Sequence, residues 1–145
     1  MAEQKANVLV VANRTSGSKE LVQALRERSE RGPAHFHLIV PSTPHGVSYA
    51  LDMHAGGDAA EHDLEGALER LRAEGLEIDG KVGDPDPVAA VQDAANSASY
   101  DELIVSTFPK HLSKWLKLDL PHKAAHATGL PCTHVEAKTG TTVQV

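Results

Sequence analysis

Five short apolar runs alternate along the chain with stretches in which apolar residues recur every three or four positions. Asn7 to Ala12 (NVLVVA) is continuously apolar after its first residue and gives way to polar Asn13-Arg14-Thr15-Ser16-Gly17-Ser18, the pattern of a fully buried strand feeding a turn. Ser18 then caps a helix from Lys19 to about Arg31, with Leu21, Val22, Ala24 and Leu25 on one face and Gly32-Pro33 as a stop. His35 to Val40 (HFHLIV) is a second buried run, ended by Pro41-Ser42-Thr43-Pro44-His45-Gly46. Tyr49 to Gly57 has weak periodicity and a Gly-Gly pair, which predicts a loop able to cover a site. From Asp58 to Gly75, Ala60, Leu64, Ala67, Leu68 and Leu71 form the clearest amphipathic stripe of the chain.

Leu76 to Val82 is more polar, as expected of a sheet edge. Asp86 caps the next helix, which opens on Pro87 and carries Val88, Val91, Ala95 and Ala98 as its stripe. Leu103-Ile104-Val105 is a fourth strand, Ser113 to Thr128 contains a fourth helix, and Pro131 to Ala137 is a fifth strand. Continuous apolar strands alternating with helices predict a parallel sheet covered on both faces, a Rossmann-like three-layer α/β/α sandwich. Right-handed crossovers with one reversal of winding give the order 3-2-1-4-5, so the first and fourth strands lie side by side.

Ligands of open parallel sheets bind beyond the carboxyl ends of the strands, where the winding reverses and helix N-termini point outward. Two loops converge on that place. One offers Asn13, Arg14, Thr15, Ser16 and Ser18, the other Ser106, Thr107, Lys110, His111, Ser113 and Lys114, and Val40 ends the neighbouring second strand. Hydroxyls, cationic side chains and two positive helix ends suit a small anion, such as a nucleotide or another phosphate-bearing ligand.

Length and charge narrow the picture further. With 145 residues the chain is expected to be a single domain, 1–145, and its formal charge of −6 argues against general nucleic-acid binding. No apolar run is long enough to span a bilayer and the first residues lack the pattern of a signal peptide, so a soluble cytoplasmic protein with no membrane partner is expected. The lone Cys132 excludes an internal disulfide and is expected to be a buried, inert thiol.

Other candidates for chemistry have simpler readings. His122 and His126 share a helical face at metal-ligand spacing but have no third ligand, and are read as surface histidines. His35 and His37 alternate on one strand face, where packing or an edge position is expected instead of ligation. Asp84 and Asp86 sit where turns and caps call for Asp, and Trp115 is read as a packing or interface residue. No nucleophile, base and acid can be argued from spacing, and no activity is expected; nucleotide hydrolysis rests on fold analogy alone.

Order, length and several strings of the chain resemble the universal stress protein family: VLVVANRTSGS its opening strand and turn, GDPDPVAAVQDAANSASYDELIV its third loop, helix and fourth strand, ATGLPCTHVEA its closing strand. The resemblance implies a stress-response binding module for ATP or AMP, and a homodimer formed through the C-terminal strand. It also exposes departures. Asn13 stands where the family carries an Asp that meets the nucleotide. The ATP-binding members have G-x-x-G, nine residues and then G-S or G-T after the fourth strand, and here those places hold Thr107, Lys110 and Leu120-Pro121. Two readings follow: Lys110, His111, Ser113 and Lys114 hold phosphate through side chains, or the chain is a homodimeric interaction protein of this fold that does not bind ATP.

Overall fold

A computed structural model of the chain describes residues 5–12, 18–41, 55–84, 86–107 and 119–137. In chain order its elements are β1 (Ala6–Val11), α1 (Lys19–Glu30), β2 (Ala34–Pro41), α2 (Ala55–Ala73), β3 (Ile78–Gly83), α3 (Pro87–Ser97), β4 (Glu102–Thr107), α4 (Leu120–Thr128) and β5 (Cys132–Glu136). The five strands form one parallel sheet in the order β3-β2-β1-β4-β5, the architecture read from the sequence.

Strands flanked by helices on both sides bury alternate side chains into two separate cores. Val8, Val10 and Ala12 of β1 face α1 and α2, joining Leu21, Leu25, Phe36, Leu38, Leu64 and Leu71. Leu9 and Val11 face the other way, toward Ile39, Val91, Leu103, Val105, Leu120 and Ala124 beneath α3 and α4. Small residues bring the layers close. A side chain on Gly83 would meet Ile39 Cγ2 at 2.9 Å and Ala90 Cβ at 3.0 Å, so this glycine lets α3 lie directly on β2 and β3.

Local signals set the helix ends. Ser18 Oγ accepts from the Leu21 amide at 3.1 Å, and Asp86 Oδ1 from the Val88 amide at 3.0 Å. Gly75 and Gly129 close α2 and α4 at φ of 87° and 72°, a conformation that suits glycine.

Three expectations are corrected. Helix α2 begins at Ala55, taking in the glycine pair assigned to the preceding loop, because the strong stripe from Leu64 to Leu71 outweighs the weak helix propensity of its first turn. Pro41 is the last residue of β2, opposite Gly83, since a strand's terminal residue can lack a ladder donor. The buried stripe of α3 is Ala90, Val91 and Ala94, whereas Ala98 is its exposed C-cap.

Candidate functional site

The reversal of winding falls between β1 and β4. Val11 lies opposite Val105 on one side and Ile39 on the other, and one row further toward the carboxyl ends stand Ala12, Val40 and Ser106. All three are essentially withdrawn from solvent, and Ala12 and Val40 join the core beneath α1 and α2. The Ala12 amide donates to the Ile39 carbonyl at 3.2 Å, which holds this end of β1 against β2.

Of the twelve candidate ligand residues, Ser18, Val40, Ser106 and Thr107 can be located; Asn13, Arg14, Thr15, Ser16, Lys110, His111, Ser113 and Lys114 lie outside the described residues, as do residues 49–54 of the expected covering loop and Trp115. Ser18 is buried at the start of α1 with its hydroxyl engaged in the cap. Both the segment that leaves β1 and the segment that leaves β4 therefore depart from the same end of adjacent strands, and the first leads into the positive end of α1.

Thr107 closes β4, buried to 1% exposure, and its carbonyl accepts from the Ala137 amide at 2.8 Å. Its hydroxyl lies 2.7 Å from Nε2 of His134, an exposed residue of β5. The side chain at the place of the first motif glycine is thus tied to the neighbouring strand. His134 had no signal in the sequence, because only the β4–β5 register, with Thr107 opposite Glu136, brings residues 27 apart together.

Leu120, which the resemblance aligns with the glycine of the G-S or G-T pair, is buried to 1% exposure among Ala90, Val91 and Leu103, and Pro121 occupies the first turn of α4. Asp119 before them takes φ 57° and ψ 46°, the left-handed region that Asp tolerates better than most residues. This stretch anchors a helix in the core, and its side chains supply no hydroxyl to a ligand.

The remaining candidates behave as their local chemistry suggests. Asp84 Oδ1 accepts from the Asp86 amide at 2.8 Å, so both carboxylates shape the turn into α3. His122 and His126 are exposed on α4, with His122 Nδ1 3.5 Å from Asp119 Oδ2. Cys132 is partly buried, and burial raises its thiol above the ordinary value, away from reactive thiolate. Among the described residues no three His, Cys, Asp or Glu side chains are arranged to hold a metal ion, and no helix is long and apolar enough to cross a membrane.

No protein-family model and no curated protein matches the chain. Solved structures do. A universal stress protein in complex with cAMP is 19% identical at a TM-score of 0.61, the match covering 92% of this chain and 98% of that one. A universal stress protein family protein from Arabidopsis thaliana with AMP bound is 14% identical at a TM-score of 0.65, covering 92% of each chain. The universal stress protein from Archaeoglobus fulgidus in complex with dAMP is 16% identical at a TM-score of 0.55, covering 91% of this chain and 98% of that one. The chain therefore has a universal stress protein-like fold.

Proposed function

We propose that the chain is a non-catalytic binding module that takes a nucleotide, or another phosphate-bearing anion, at the carboxyl ends of β1 and β4. The observation that carries this reading is the adjacency of those two strand ends at the reversal of winding, in a fold whose similar structures were solved with cAMP, AMP and dAMP. Glycine-mediated approach of backbone amides to phosphate is not the mode proposed, since Thr107 and Leu120 carry side chains at two of the motif places and both are buried. Lys110, His111, Ser113 and Lys114 supply the charge instead, with Asn13, Arg14, Thr15 and Ser16 from the opposite loop.

Calorimetric titration with ATP, AMP and cAMP tests this. Saturable heat is expected, with no release of phosphate from ATP, and Lys110→Ala is expected to weaken binding by about 1.5–3 kcal/mol, the scale of a charged hydrogen bond. No heat and no thermal stabilisation at millimolar ligand would overturn it.

A second reading has its own observation. β5 is one edge of the sheet, its Thr133, His134 and Glu136 side chains exposed, and an edge is where a second copy can pair to form a homodimer. Light scattering at high protein concentration decides it: a mass of one chain removes this reading and leaves the first intact.

A further inference from the structure

At the other edge, β3 runs parallel to β2 with Phe36 opposite Ile78 and His37 opposite Asp79. The two-residue period of a strand then brings His35 and His37 onto the same face as Glu77 and Asp79. His35 meets a carboxylate at each ring nitrogen: Nδ1 is 2.9 Å from Glu77 Oε2, and Nε2 is 3.3 Å from Asp79 Oδ2. His37 Nδ1 lies 2.5 Å from the other oxygen of Asp79, and its ring stacks on Tyr100 with centroids 6.2 Å apart. One aspartate is thus shared by two imidazoles, and one imidazole by two carboxylates.

A neutral imidazole has one N–H and one lone pair, whereas an ionised carboxylate only accepts. Neutral His35 can therefore satisfy Glu77 or Asp79 but turns a lone pair toward the other; the imidazolium turns an N–H toward both, hydrogen-bonded to Glu77 and within ion-pair distance of Asp79. We propose that His35, His37, Glu77 and Asp79 form a proton-operated clasp that fastens edge strand β3 to β2, closed at both ends only when His35 carries two ring protons.

On the same face of β3 the exposed Lys81, two residues beyond Asp79, makes no ion pair with either carboxylate. Lys5, just before β1, lies 2.6 Å from Glu77 Oε1 and keeps that carboxylate partly compensated at any neutral pH. Asn7 of β1, opposite His35, donates its side-chain amide to the Ser99 carbonyl, and Asp101 accepts from the Asn7 backbone amide. Tyr100 faces His37, and the only ionisable side chain of the covering helix α3 is the exposed Asp93. Loss of both histidine protons takes the group formed by Lys5, His35, His37, Glu77 and Asp79 from one net positive charge to one net negative charge, with Asp101 nearby adding to the repulsion.

Amide hydrogen exchange of β3 between pH 5.5 and 8.0, corrected for intrinsic exchange, tests the clasp. Protection of the β3 amides is expected to fall about fivefold across that range, the upper end for a half-exposed ion pair, while amides of β1 hold theirs. His35→Gln, whose amide donor and carbonyl acceptor do not change with pH, is expected to flatten the dependence. Wild-type β3 protection that does not change with pH, or the same dependence in His35→Gln, would overturn the proposal. Should that variant fail to fold, Glu77→Gln, altered at a half-exposed side chain, is expected to halve the pH effect or more, and an unchanged effect there overturns the proposal equally.

Discussion

Strands β1 and β3 flank the same neighbour, β2, with the same parallel pairing, yet they are held by different forces. Val8 through Val11 are withdrawn from solvent on both faces of β1, so that strand rests on apolar burial, which pH and salt hardly touch. In β3, Ile78 is buried but Asp79 and Lys81 are exposed, and its amino end is tied by Lys5, His35 and His37 to Glu77 and Asp79. Ion pairs at such exposure each contribute at most about 1 kcal/mol and weaken with salt. The centre of this sheet is therefore expected to be insensitive to solution conditions and its β3 edge responsive to them.

The largest test attacks the centre. Leu9→Ala, in the cluster under α3, leaves a cavity beside Val11, Ile39, Val91 and Leu103 and is expected to cost about 2–5 kcal/mol in chemical denaturation. That loss should be the same at 0.05 and 0.5 M salt. A loss that changes with salt would mean the centre and the edge are not held differently.

Gly80→Ala attacks the edge without touching its charges. An added Cβ would lie 2.5 Å from the Leu38 carbonyl oxygen and 3.0 Å from Leu64 Cδ1, so β3 must move away from β2 and α2. A cost of about 1–3 kcal/mol is expected from this crowding, at every pH. If hydrogen exchange in this variant showed β1 loosened as much as β3, the edge would not open separately from the core.

The contrast between the two strands also explains what could be read from residues alone. Continuous runs such as Val8-Leu9-Val10-Val11 announce burial on both faces, and strands alternating with helical stripes announce a parallel sheet covered on both sides. The edge position of β3 followed from its polarity. The clasp was half legible: alternation put His35 and His37 on one face, but their acidic partners lie 42 residues away and appear only through the β2–β3 register. The Thr107–His134 contact was hidden for the same reason. At the candidate site, the resemblance alone aligned Thr107, Lys110 and Leu120-Pro121 with the motif places, while the burial of Leu120 as a core anchor depends on how α4 packs. Propensity misjudged the start of α2 because the glycine pair is outvoted by packing downstream.

The smallest expected effect concerns the acid side of the clasp. Lys5 and His35, by hydrogen bonding, hold the Glu77 carboxyl below its ordinary value near 4.5. For Asp79, partial burial pushes upward, but the contacts with His37 and His35 outweigh it and the carboxyl stays below its ordinary value near 3.8. A carboxyl whose folded value is depressed stabilises the fold above its unfolded value, and that contribution is lost as pH falls through the folded value. The β3 edge is thus expected to loosen twice, on the alkaline side as the clasp loses its histidine protons and on the acid side as the carboxylates gain theirs. Asp79→Asn should remove its share of the acid limb, lowering stability in urea at pH 5.5 by less than about 1 kcal/mol and bringing it closer to wild type once the pH has fallen through the folded value of Asp79. Because Asp79 also lies against both histidines, the same variant should shallow the alkaline limb; if it altered the acid limb alone, the two histidines would not be acting through a shared carboxylate.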